Sequence, residues 1–146
     1  MTFSRVVFSS KHYRWNTPDD AYKELDEEFH FTFDPAVPPR VGNFSGDGLR
    51  EKWSGRVFCN PPYARKLTLR WILKGWRELV NGNCELIVFL IPMRNSDYFR
   101  FLRKVGAECR LNDGRLKFND EDNGAPFDSA IFILNKETVT NYYANL

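Results

Sequence analysis

Arg56-Val57-Phe58-Cys59-Asn60-Pro61-Pro62-Tyr63 is the stretch that decides how this chain of 146 residues folds. Its first half is a short apolar run behind the turn-like Trp53-Ser54-Gly55, the pattern of a strand. Its second half is a stiff turn. Proline fixes φ at about −65° and carries no N–H, so Pro61 and Pro62 hold their carbonyls in place without a competing donor. Asn60 precedes a proline and is therefore biased to extended geometry, which continues the strand and aims the side chain from its end. Downstream, Leu69, Ile72, Trp76, Leu79 and Val80 recur at helical spacing. Strand, turn and helix thus follow one another.

A turn of this composition suits chemistry on a planar amino nitrogen, whose lone pair is delocalised into the attached π-system and is a poor nucleophile. Two acceptors, the Asn60 side-chain oxygen and the Pro61 carbonyl, can each take one N–H and localise that lone pair. Tyr63 supplies an aromatic face on which an extruded base can stack. The candidate catalytic set is therefore Asn60, Pro61, Pro62 and Tyr63. Asn-Pro dipeptides also start ordinary turns, so the tetrapeptide alone leaves a purely structural turn open.

Working outward, Thr17 is placed to cap a helix with Pro18 at its first position and Ala21, Tyr22, Leu25 and Phe29 along one face. Residues 29 to 33 read as a strand ending at Asp34, and residues 35 to 48 as a Pro/Gly-rich loop. After the strand at 56 to 59, a helix over about 64 to 80 leads through Asn81-Gly82-Asn83 to residues 85 to 91. That nearly continuous apolar run is typical of the buried centre of a parallel sheet. Ser96 is expected to cap a helix holding Phe99, Leu102 and Val105, which Gly106 ends. Residues 107 to 118 suggest two short strands, 119 to 124 a turn, and 129 to 134 a last apolar strand.

The alternation predicts an α/β fold: one Rossmann-like domain over residues 1 to 146 with a mostly parallel open sheet and crossover helices. Its core is expected within residues 15 to 134, with 1 to 14 and 135 to 146 as terminal extensions. Open α/β sheets place ligands at the carboxyl ends of their strands, where Asp34, Asn60 and Pro92 fall.

Composition bounds the function. With 42% hydrophobic and 16% aromatic residues, the chain can build one real core. It shows no membrane-length apolar segment and no signal-peptide core, which points to the cytoplasm. Cys59, Cys84 and Cys109 lack metal-ligand or Cys-x-x-Cys spacing and read as buried thiols of a reduced protein. His12 and His30 have no companions, so no metal is expected. A Gly-x-Gly-x-x-Gly fingerprint is absent. Net charge is only +2, but residues 62 to 77 hold Arg65, Lys66, Arg70, Lys74 and Arg77 with no acid. That flank fits a phosphate backbone beside the turn, and equally a solvated helix face. Arg94 after the central strand, and Arg115 with Lys117 on one side of an alternating strand, carry the same two readings.

Several blocks, in order, make a more specific pattern: Trp15-Asn16-Thr17-Pro18, Phe31-Thr32-Phe33-Asp34, Asp47-Gly48-Leu49, Trp53-Ser54-Gly55 with Asn60-Pro61-Pro62-Tyr63, Leu90-Ile91-Pro92-Met93-Arg94, Gly114-Arg115-Leu116-Lys117-Phe118, and Ala125-Pro126 through Ser129-Ala130. In these blocks, over residues 15 to 134, the chain resembles the phage-type DNA N-6-adenine-methyltransferase family. The resemblance implies S-adenosylmethionine as methyl donor and an adenine flipped from duplex DNA as acceptor, with no metal. It implies Asp34 and Asp47 as acceptors for the cofactor's ribose and ammonium, with Trp15, Thr17 and Pro18 beside them. Arg65, Lys66, Arg70, Lys74, Arg94 and Arg115 are the candidate phosphate contacts, and the setting is the cytoplasm, the host's in the case of a phage or prophage protein. The segment between Asp34 and Asp47 is shorter than in that family and reads Pro38-Pro39-Arg40-Val41-Gly42-Asn43. The same turn also suits cytosine N4, RNA or a protein glutamine, and a catalytically silent DNA-binding relative is a further alternative.

Overall fold

Side chains alternate across a strand, and that period of two sorts the apolar residues of this chain onto the two faces of one sheet. The computed structural model describes residues 19–36, 47–64, 66–94, 96–111 and 129–146. Its elements are α1 (Asp19–Phe29), β1 (Gly55–Cys59), α2 (Leu67–Val80), β2 (Cys84–Pro92), α3 (Asp97–Val105), β3 (Glu108–Leu111), β4 (Ser129–Asn135) and α4 (Lys136–Ala144). Val57, Cys59, Ile87, Phe89, Ile91, Ala130, Phe132 and Leu134 point to one face, beneath α2, α3 and α4. Phe58, Leu86, Val88, Leu90, Ile131 and Ile133 point to the other, beneath Tyr22 and Leu25 of α1.

The four strands lie in the order β1-β2-β4-β3. β1 pairs with β2 in parallel, whereas β4 is antiparallel to both of its neighbours. β1, β2 and β3 therefore run the same way and β4 runs against them. The sheet is mixed, which corrects the expectation of a mostly parallel one. The physical reason is that α3 carries the chain past the slot beside β2, and the chain later returns into that slot in the opposite sense. A strand buried on both faces, as β4 is, has the same continuous apolar pattern in either direction.

A second correction concerns residues 29 to 33. Phe29 stays in α1, and His30 takes a left-handed φ of 54°. The His30 N–H donates to the Asp26 carbonyl (2.7 Å) and the Phe31 N–H to Asp26 Oδ1 (2.8 Å). Leaving the helix consumes the residues that would have formed the strand, and only Phe33 makes a bridge, parallel to Val57.

The helices flanking the site are legible locally. The Phe99 N–H donates to the Ser96 hydroxyl at the start of α3, and Gly106 closes it at φ 83°. α4 was not anticipated. Asn135 and Thr138 form a capping box at its start, and Val139 and Tyr142 pack on the core. α2 lies close on the sheet because Gly75 has no side chain: a Cβ there would sit 2.7 Å from Trp53 and 2.8 Å from Phe89. No described helix is long and apolar enough to cross a membrane.

Candidate active site

Asn60 is the first residue beyond β1, and only 8% of it is exposed. Pro61 and Pro62 are buried with it. β2 outruns β1: the last pair is Cys59 with Phe89, so residues 90–92 have no β1 partner. Residues two apart on a strand turn their carbonyls to the same edge, and here those of Leu90 and Pro92 are met by tyrosines. The Tyr63 hydroxyl lies 3.0 Å from the Leu90 oxygen, and the Tyr98 hydroxyl donates to the Pro92 oxygen at 3.1 Å. The Tyr63 hydroxyl also lies 2.5 Å from Asn60 Oδ1, so its single proton is shared between two acceptors. Burial, reinforced by the neighbouring Tyr98 and Cys59, pushes the Tyr63 hydroxyl well above the ordinary tyrosine value. It stays a donor at any physiological pH.

The turn is also fastened from below. Thr68, in the first turn of α2, donates its hydroxyl proton to the Pro62 carbonyl at 2.7 Å, and this contact is buried. The Ala64 carbonyl accepts the Leu67 and Thr68 N–H groups. Lys66 precedes α2 in a left-handed conformation, φ 62°, with no side-chain cap. A non-glycine residue at such a φ costs about 1–2 kcal/mol and persists only where its surroundings over-determine it.

Asp34 follows the Phe33 bridge, so it lies beside β1 short of Asn60. Its Oδ1 accepts the Ala36 N–H at 3.0 Å. Tyr22 of α1 is near enough that burial first, then Asp26 and Asp34, push its hydroxyl to about 12. Asp47 heads a turn: its Oδ1 accepts the Leu49 N–H (3.1 Å) and its Oδ2 lies 3.3 Å from Arg50 Nε. The turn presses on the segment after Asp34. A Cβ at Gly48 would fall 2.3 Å from the Pro35 oxygen and 2.4 Å from the Trp71 ring, so only glycine fits. Trp53 fixes the same turn by donating Nε1–H to the Gly48 carbonyl at 2.7 Å.

The structure thus brings Asn60, Pro61, Pro62 and Tyr63 together at the end of β1, with Asp34 on the adjoining segment. Asp47 is engaged by its own turn and by Arg50. Lys66 and Arg70 are exposed along α2, and Arg94 is exposed just beyond β2. Lys74 is held by Glu78 at 3.2 Å with its side chain only 14% exposed. Trp15, Thr17, Pro18, Arg65 and Arg115 lie outside the described residues, as do the second strand expected before 118 and the turn at 119 to 124. Cys59 and Cys84 are buried as expected, but Cys109 is exposed, since β3 is the sheet's outer strand. Among the described residues no group of metal ligands occurs.

Two residues that hold the site, Thr68 and Tyr98, escaped the sequence, and so did Glu78 at the opposite end of α2. Glu78 is buried and accepts the Trp53 N–H at 2.8 Å, which joins α2 to the strand-leading segment. Each bond crosses at least six positions of chain, and no local pattern announces it. An acid alone among cations on α2 was the one available signal.

The fold is an open α/β sheet with a buried Asn-Pro-Pro turn at the end of a strand. The chain belongs to the DNA N-6-adenine-methyltransferase (Dam) family, whose model matches residues 6–140. No curated protein and no solved structure matches it. At the level of the family the activity is DNA adenine methylation, with DNA as substrate.

Proposed function

We propose that this chain transfers a methyl group from S-adenosylmethionine to N6 of an adenine extruded from duplex DNA. The observation that carries it is the Asn60 side-chain oxygen, buried at the carboxyl end of β1 and oriented by the Tyr63 hydroxyl. An amide oxygen can accept more than one hydrogen bond, and the role assigned to Asn60 is to take one amino N–H of the base. The Pro61 carbonyl takes the second N–H, and the nitrogen pyramidalises with its lone pair directed outward. The half-buried Tyr63 ring offers its face to the base. Pro62, tied to Thr68, keeps the turn from moving as the base enters. The proton left on the product nitrogen departs to water.

S-adenosylmethionine, when bound, supplies an electrophilic methyl carbon without a metal. Asp34 fits it: a carboxylate beside the end of β1, where ribose hydroxyls or an ammonium need an acceptor. Asp47 is the second proposed acceptor; like Asp34 its carboxylate holds a turn N–H, and it also lies 3.3 Å from Arg50. Trp15, Thr17 and Pro18 complete the proposed cofactor side. Lys66, Arg70, Arg94, Arg65 and Arg115 are the proposed phosphate contacts, and Lys74 joins them from its pair with Glu78. Three strands running one way, joined by crossover helices, support one Rossmann-like domain over 1 to 146, and free cysteines fit a reducing cytoplasm.

Radiolabelled methyl transfer to unmethylated DNA, followed by digestion to nucleosides, tests the proposal. N6-methyladenine is the expected product. Label in N4-methylcytosine, RNA or protein glutamine would reassign the acceptor. Absent label together with no measurable affinity for S-adenosylmethionine would identify a silent DNA-binding relative.

A further inference from the structure

A groove of about 260 Å³ lies between α2 and the turn that Asp47 heads, lined by Leu49, Arg70, Leu73, Lys74, Arg77 and Glu78. We propose that it receives the sugar-phosphate backbone of one DNA strand leading away from the target base. The proposal rests on Asn60 being a base-holding site and adds the path of the strand and a further contact, Arg77.

Four observations support it. Within α2, Arg70, Lys74 and Arg77 stand at i, i+4 and i+7, so a rotation of about 100° per residue keeps them in one stripe, and Lys66 stands just before the helix. Counted from Lys66, three residues after Tyr63, to Arg77, the run of cations covers roughly 16 Å at about 1.5 Å per residue. That length matches about five nucleotides of one strand at about 3.4 Å each. A run of phosphates needs repeated cations, and a sugar needs an apolar surface; Leu49 and Leu73 supply the second between the cations that supply the first.

The acid in the groove does not oppose an anion. Glu78 is 8% exposed, and its carboxylate accepts the Trp53 N–H (2.8 Å) and the Asn83 amide (3.3 Å) and pairs with Lys74 (3.2 Å). Its charge is turned inward and compensated. Arg70 and Arg77 remain exposed at the rim, and a guanidinium suits a phosphate by its bidentate fork. The first turn of α2 contains no acid.

The test is binding of a fluorescein-labelled duplex of about 20 base pairs by the full chain between 50 and 200 mM salt, read by anisotropy, with methyl transfer to the same duplex measured in parallel. Arg70→Gln/Arg77→Gln removes two surface charges and should fold normally. Two lost phosphate contacts reduce the slope of log K against log salt by about 1.8, so the advantage of the wild type grows about tenfold from 200 to 50 mM. Arg103→Gln/Lys104→Gln removes the same charge from the end of α3 and should leave the slope unchanged. Equal slopes for all three proteins, or an equal fall in both variants, would overturn the groove. So would a wild type that binds no duplex. Methyl transfer separates the two ideas: intact methylation with an unchanged slope rejects the groove alone, while a lowered slope without methylation of adenine rejects the chemistry and keeps the groove.

Discussion

An amide oxygen has two positions for hydrogen bonds, and at Asn60 a tyrosine hydroxyl already holds one of them. Asn60→Ala removes the acceptor proposed to localise the amino lone pair, and turnover should fall about 10²- to 10³-fold, with S-adenosylmethionine affinity unchanged by calorimetry. Turnover within threefold of wild type would exclude that role. Tyr63 separates into ring and hydroxyl. Tyr63→Phe deletes a bond worth about 0.5–1.5 kcal/mol, so kcat should drop roughly 2- to 13-fold while base affinity is kept. Tyr63→Ala should lose a further 1–3 kcal/mol or about that in base binding. Equal damage from the two changes, measured on a duplex with a single target adenine, would leave the ring without a function. The strand ending before Asn60 and the Pro-Pro turn after it were legible because residue type alone restricts their backbone. The hydroxyl's partners were not, because Leu90 lies on another strand and only folding brings it within 3.0 Å.

Between the turn and the sheet, α2 is the element that holds the site in place. Its Gly75 faces Trp53, Phe89 and Ile87, all within 3.0 Å of where a Cβ would stand. Gly75→Ala should therefore overpack the interface and cost about 1–3 kcal/mol despite alanine's better helix propensity. A calorimetric midpoint lowered by about 2–12 °C is expected, and an unchanged or raised midpoint would show that the helix can shift outward freely. Elements with strong local punctuation were readable, as Ser96 and Gly106 around α3 show. Those decided by competition were not. Phe29 to Phe33 has the residues of a strand, yet Asp26 captures the His30 and Phe31 N–H groups and draws them into the helix exit. α4 was missed because it is short and half apolar at most, with only Asn135 and Thr138 announcing it. The reversed direction of β4 left no mark in its composition at all.

Taken whole, the molecule buries groups whose protons it can lose only by unfolding or strain. Burial pushes the Cys84 thiol from 9.0 to about 12 and the Tyr22 hydroxyl from 10.0 to about 12, and it raises Tyr63 as well. The folded protein therefore holds protons that the unfolded chain releases, and stability is complete below about pH 9 and declines as pH rises toward 12. Urea midpoints at pH 8 and pH 10.5 should show the second lower, and equal midpoints would mean that these groups titrate freely in the fold. The strand order has a separate consequence, in time rather than space. β4 fills the place between β2 and β3 but is the last strand to be synthesised. At about 5–20 residues per second, a growing chain waits roughly 2–9 s after completing β2 before β4 exists to cover its edge. During that interval the most apolar strand of the protein presents open backbone groups to its neighbours on the polysome. A chain halted before residue 129 would have β1 paired with β2 but β3 left without the strand it pairs with, a natural client for a chaperone.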